Sequence, residues 1–399
     1  MVSFQIVNAY CSNNKLYLII YNNGNIPINI NRSITIISDN QQNAYNTTIT
    51  CNNTTIIQPR QQITCNLNNI ICYYDPSSNS KYKVSLIVDG KIAEKYLDTG
   101  YEAHLYKYLR NVIIDNTQNL NNLTDYQILI TLDTQSLISQ GKMRSDCGDV
   151  RFTDSDGKLL NYWIEPNTCN TNNTKIWVKV PFIPGSSTKT IYLWYGNPNA
   201  NSLSNIENTF TEMGTFYHTR YSYSTPNSLA EAIIAYNSAQ DIPGYCWAYI
   251  INYSNIANHI ICPSGSLTNI SYWIEAYFYV DEPGVWEFRF GVDYGRGGGL
   301  YIDGIPLNEI WYKDLWWDLW WGYDWNSNGV LKGSIYLSVG WHKLFSIGFE
   351  GCCDGGTALQ FKKPSGDWKY WSITEIKIKS RKYTSPEPSV ILENEVKIQ

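Results

Sequence analysis

Charge is what this chain has least of. Only 16% of its 399 residues are Asp, Glu, Lys or Arg, against about a quarter in an average globular protein. No run of Lys or Arg occurs and the net charge is −5. Both facts argue against a nucleic-acid partner, which needs a basic footprint, and against an electrostatic membrane anchor. Long apolar runs are missing as well, so no transmembrane helix is expected. The four histidines (His104, His218, His259, His342) are scattered, and no cysteine pair has CxxC spacing. A zinc site is therefore not expected. The opening MVSFQIVNAY has neither a basic segment nor an apolar one of the kind that directs export.

Cysteine, by contrast, is abundant: Cys11, Cys51, Cys65, Cys72, Cys147, Cys169, Cys246, Cys262, Cys352 and Cys353. An even count without metal spacing reads as a disulfide framework, hence an oxidising compartment. The expected protein is extracellular or at a cell surface, with its export segment missing from this chain. An intracellular protein of a hyperthermophile is the alternative. Sequons begin at Asn31, Asn46, Asn52, Asn53, Asn122, Asn172, Asn252 and Asn269, as suits an exported glycoprotein.

Strand signals dominate. Runs such as KLYLIIYN (15–22), YQILITLD (126–133), KIWVKVPF (175–182), VWEFRFGVD (285–293) and GSIYLSVG (333–340) are rich in β-branched and aromatic residues. Asn, Gly, Pro and Ser clusters separate them. Asp89-Gly90 reads as a hairpin turn. One helix is expected, over 227–238, capped by Asn227 or Ser228. The fold class is all-β: three consecutive disulfide-stapled sandwiches over 1–99, 100–209 and 210–383, then an extended tail, 384–399. The tail is expected to add an edge strand, link to another domain, or reach a neighbouring subunit. These cuts divide the cysteines evenly. Cys51 and Cys65 flank a short loop whose closure contributes roughly 3 kcal/mol in the chain-entropy account. Cys11 and Cys72 are then left together, with other connectivities open. Cys147 and Cys169 are expected to bridge. Vicinal cysteines close a strained eight-membered ring, so Cys352 and Cys353 are expected to pair separately with Cys246 and Cys262. A redox switch is the alternative.

Residues 4–30, FQIVNAYCSNNKLYLIIYNNGNIPINI, resemble the soluble β domain of archaeal type IV pilins and flagellins. The pieces LTDYQILITLDT (123–134), GKMRSDCGDVRFTDSDGKLLNYWIE (141–165) and KIWVKVPFIPGSSTKTIYLWYGNP (175–198) resemble the DUF2341 family of microbial surface proteins, whose activity is not established, and imply a jelly-roll-like sandwich there. Residues 284–304, GVWEFRFGVDYGRGGGLYIDG, and 339–366, VGWHKLFSIGFEGCCDGGTALQFKKPSG, resemble the PA14 superfamily, including GLEYA-type adhesins. That resemblance implies a PA14-like β-sandwich and a loop with two neighbouring aspartates that hold Ca²⁺ and, through it, sugar hydroxyls. Asp293 fits one position; Tyr294 stands where the second Asp would be. Asp354 is a further candidate ligand from another loop.

Two other candidate sites rest on the residues themselves. FTDSDGK clusters Asp154 and Asp156 near Asp149 and Glu165, a set of hard oxygen donors that reads as a turn or a calcium site. IWYKDLWWDLWWGYDWNSNG (310–329) concentrates Trp311, Trp316, Trp317, Trp320, Trp321 and Trp325, interleaved with Asp314, Asp318 and Asp324. It reads either as rings packed on the sandwich or as a stacking platform for sugar. Together these point to an adhesin-like protein that binds a glycan or surface polymer. The alternatives are a structural subunit assembling with pilin or filament partners, and a secreted enzyme. No paired carboxylates, Ser-His-Asp or Cys-His motif supports catalysis.

Overall fold

The structure, a computed structural model, describes residues 2–12, 15–38, 44–52, 54–68, 70–74, 81–98, 101–155, 157–317 and 324–397. The protein is all-β, with only short helices. Its contacts divide it into two compact units, Met1–Thr209 with Tyr383–Gln399, and Phe210–Lys382.

The first unit opens with two four-stranded antiparallel sheets. One runs in the order Gln5–Ser12, Lys15–Tyr21, Gln62–Leu67, Ile49–Cys51, and the other Lys91–Tyr96, Lys83–Val88, Ser33–Ser38, Ala44–Thr47. Strand Lys15–Tyr21 shows why: Leu16, Leu18 and Ile20 are wholly buried while their neighbours are half-exposed, the period of two that places one face on a core. Val88 pairs with Lys91, so Asp89 and Gly90 form a two-residue loop, both at positive φ (46° and 75°), as the Asp-Gly signal requires. In the NNGNIP turn the buried Asn22 replaces missing backbone partners. Its Nδ2 donates to Ile26 O and Ile57 O, and its Oδ1 accepts from Gly24 N. Cys11–Cys72 and Cys51–Cys65 are disulfides.

The same unit continues with a sheet of Arg151–Thr153, Thr188–Tyr195, Tyr108–Asp115 and Ser389–Leu392, facing another of Leu123–Leu132, Thr174–Ile183 and Tyr162–Ile164. Cys147–Cys169 bridges here. Trp163 and Trp177 are buried, and Trp177 Nε1 donates to Glu165 at 2.8 Å. The C-terminal segment is a strand of this sandwich rather than a free tail. Leu392 stands opposite Val112, Tyr126 Oη donates to Glu387 (2.8 Å), and Glu395 pairs with Lys142 (2.6 Å) and accepts from Tyr195 Oη (2.6 Å).

In the second unit the long strands Thr268–Val280 and Gly340–Cys352 lie side by side at the centre of an eight-stranded sheet. A second sheet, Val330–Leu337, Gly284–Gly291, Ala358–Lys362 and Lys369–Tyr370, carries the other core face. Between them lies an aromatic core that includes Phe278, Trp286, Phe288, Phe290, Phe361 and Trp371. Helix Leu229–Asn237 is capped by Ser228, whose Oγ accepts from Glu231 N. No helix among the described residues is long and apolar enough to cross a membrane.

The cysteine pairing of this unit corrects the sequence expectation. Cys246 bridges Cys262, and Cys352 bridges its neighbour Cys353. Strand register explains the difference. Cys352 ends its strand opposite Thr268 with its side chain exposed, whereas Cys262 is buried beside Thr219. The late strand therefore presents both its sulfurs to solvent and none to the 246–262 loop.

Candidate functional site

The site lies where the loop after strand Gly284–Gly291 meets the end of strand Gly340–Cys352. Asp293 and Tyr294 form a two-residue strand against Leu315–Trp316, with Asp293 directly opposite Trp316. Val292 fastens the pair on both sides: its N–H donates to Gly329 O and its carbonyl accepts from Trp317 N–H, both at 2.9 Å.

Asp293 is buried, and its Oδ2 accepts from Gly355 N–H. Burial, followed by the charge of Glu350, pushes its pKa up to about 8, with Asp354 and Asp314 adding to the rise and the Gly355 bond opposing it. Glu350 is buried too. It accepts from Gly295 N–H and, at 2.7 Å, from Cys352 N–H, and burial raises its pKa. Asp354 accepts from Tyr272 Oη (2.5 Å), His259 N–H (2.8 Å) and His259 Nδ1 (2.7 Å). The His259 side chain stays 38% exposed above it. The exposed Cys352–Cys353 disulfide joins Glu350 to Asp354 along the chain. The sequence FEGCCDGG thus builds a loop in which backbone amides hold buried carboxylates beneath an exposed pair of sulfurs.

The structure separates the candidate residues. Asp293 and Asp354 come together through Gly355. Tyr294 does not join them. Its ring is wholly buried against Gly348, where a Cβ would fall 2.2 Å from it, and its Oη lies 3.2 Å from Ser346 Oγ. An aspartate's place is taken here by a core aromatic, because the glycine of the neighbouring strand leaves room for a ring. Trp317 is also core, lying over Gly291, where a Cβ would meet it at 2.2 Å, and against Trp325. Trp316 faces the other way and is 49% exposed. Trp320 and Trp321 lie outside the described residues, as does Asp156. Asp154 pairs with Lys189 at 2.9 Å and accepts from Ser155 N–H, and Asp149 and Glu165 are buried acceptors of other donors. His259 carried no sequence motif of its own, and Glu350 stood in the FEGCCDGG stretch without an assigned role; the fold brings His259, on the short helix Asn258–Ile261, to Asp354.

Among the described residues, no group of three or more His, Cys, Asp or Glu side chains is placed to hold a metal ion. Both oxygens of Glu350 and both of Asp354 already accept hydrogen bonds, which leaves Asp293 Oδ1 as the open carboxylate oxygen of the three. That donor set does not fit a calcium ion.

Residues 146–224 match the family described as "Domain of unknown function (DUF2341)". No curated protein matches the chain. Among solved structures, the PA14 domain of the MpAFP antifreeze protein is 13% identical and covers 46% of this chain and 100% of its own, at a TM-score of 0.32. The PA14 sugar-binding domain from an RTX adhesin is 12% identical, covering 42% and 98%, at 0.30. The archaellum periplasmic stator protein FlaG from Sulfolobus acidocaldarius is 18% identical, covering 24% and 100%, at 0.21. At such scores the function has to be read from the site itself.

Proposed function

We propose that this chain is an adhesin-like protein that acts outside the cytoplasm and binds a glycan or surface polymer through its second unit. The observation that carries the reading is the pairing of Asp293 with Trp316. Residues directly opposite on two antiparallel strands project to the same side. A carboxyl group fixed by Gly355 therefore stands beside an exposed indole, with the exposed Cys352–Cys353 sulfurs along the same loop system. Sugars have apolar C–H faces and polar rims. The indole offers a flat face and the disulfide a polarisable one to the first, and Asp293 Oδ1 offers an orienting acceptor to the second. With its pKa near 8, Asp293 is largely protonated at neutral pH and also donates a hydrogen bond to a hydroxyl.

Binding rather than hydrolysis is the reading because Glu350, the second buried acid here, has both oxygens committed to backbone amides, whereas glycoside hydrolysis needs two working carboxyl groups. The extracellular setting rests on the five disulfides. Assembly by donation of the C-terminal strand loses its support, since Ser389–Leu392 is paired within its own chain.

A glycan-array screen, run with calcium and with chelator, tests the proposal. Hits are expected in both conditions, and Trp316→Ala should weaken them about tenfold, as losing one stacked ring of ~1.5 kcal/mol implies. A natively folded protein that binds no glycan in either condition overturns it.

A further inference from the structure

A different face of the second unit holds an unusual arrangement of positive charge. In the sheet built on Gly284–Gly291, the inward residues Trp286, Phe288 and Phe290 enter the core, so Glu287 and Arg289 project outward. Register places Arg289 directly opposite Lys332 on one neighbouring strand and Gln360 on the other. Two cations in direct cross-strand opposition repel each other and destabilise a sheet. Glu287, an acid on this part of the face, is held by Lys362 at 2.9 Å.

Arg289 is nonetheless fixed. Its Nε and Nη2 both donate to Gln360 Oε1, at 2.8 and 2.5 Å. Its guanidinium lies 4.0 Å from the ring centre of Trp368 and 4.4 Å from that of Trp325. No carboxylate forms an ion pair with it among the described residues; burial works against its charge, and the nearby charge of Glu287 offsets this only in part. Among the described residues, Lys332 Nζ reaches only Trp325 O, at 3.5 Å. The two cations, the two indoles, Asn326, Ser334 and the Lys362-paired Glu287 line a surface cavity of ≈ 360 Å³. That is within the size range of small-ligand sites, roughly 300–1,000 Å³.

The geometry points to a second binding site here, for a sugar ring that carries a carboxylate. Nη1 of Arg289 makes no hydrogen bond among the described residues, so a carboxylate seated between it and Lys332 gains charge-assisted hydrogen bonds and relieves the cation–cation opposition. Trp325 is held between Arg289 and Trp317, so the apolar face of the ring lies along Trp368, and its hydroxyls meet Asn326 and Ser334. A nucleic acid is the wrong anion for this surface, because a protein of net charge −5 repels a polyanion beyond one local contact. The site shares no residue with the Asp293 loop.

Titration calorimetry on the full chain tests it, with trigalacturonate and 3′-sialyllactose as the two acidic probes. Carboxyl-reduced trigalacturonate and lactose are their neutral counterparts. At least one acidic probe should bind while its neutral counterpart does not, and which one binds identifies the source as a uronate or a sialate. Lys332→Gln, an exposed change that leaves the core intact, and Arg289→Gln should each weaken binding about tenfold, the value of one charge-assisted hydrogen bond. Asp293→Asn should leave that binding in place. Binding of neither acid, equal binding of the neutral sugar, unchanged affinity in Lys332→Gln and Arg289→Gln, or loss in Asp293→Asn each overturns the assignment.

Discussion

Asp293 and Glu350 are buried acids whose pKa values both lie above their ordinary range. The folded protein therefore holds protons that the unfolded chain releases once the pH passes the usual carboxylate range. Stability falls with rising pH wherever the native state binds more protons. For Asp293 the loss runs from the ordinary carboxylate range near pH 4 up through about 8, and it is complete above that. Calorimetric melts between pH 5 and 9 should show the transition of the second unit moving down as pH rises. Asp293→Asn, which cannot ionise, should flatten that slope. An unchanged slope would mean that Asp293 is charged throughout. A family resemblance singled out Asp293, but its protonation is set first by burial and then by the charge of Glu350, far along the chain. No local pattern encodes that encounter.

Elements show the same division. The tryptophan-rich segment has no period of two or 3.6, so the sequence could not sort its rings. The structure does so by pairing Leu315–Trp316 with Asp293–Tyr294 and hydrogen-bonding Trp317 N–H to Val292, which turns Trp316 outward and Trp317 inward over Gly291. Trp317→Ala should cost about 3–5 kcal/mol, read as a lower denaturant midpoint for the second unit, whereas Trp316→Ala should stay within about 0.5 kcal/mol. The C-terminal strand makes a second case. Its alternating end reads as a strand, yet its partner is Tyr108–Asp115, more than 270 residues earlier. Removing residues 384–399 exposes the edge of that strand and strips Lys142, Tyr126 and Tyr195 of their Glu395 and Glu387 partners. The first unit should then melt lower and self-associate, as unpaired edges do. A monomeric truncation with an unchanged melt would show that the strand is dispensable.

At the scale of the whole molecule the cysteines carry the argument about environment. All ten are in disulfides. Alkylation of native protein should label none of them and should label ten after reduction and unfolding; extensive labelling beforehand would remove the case for an oxidising compartment. Sequence alone determined the all-β class, the Asp89-Gly90 hairpin, a helix starting at Asn227 or Ser228 and the low charge that argues against nucleic acid. Each follows from periodicity, turn chemistry or composition, all of which act over a few residues. Which cysteines join within the second unit, which tryptophans face solvent, where the last strand docks and which acids surround Asp293 were decided only by tertiary structure. Those outcomes depend on the register between strands far apart in the chain, and a shift of one residue in that register sends every side chain to the opposite face.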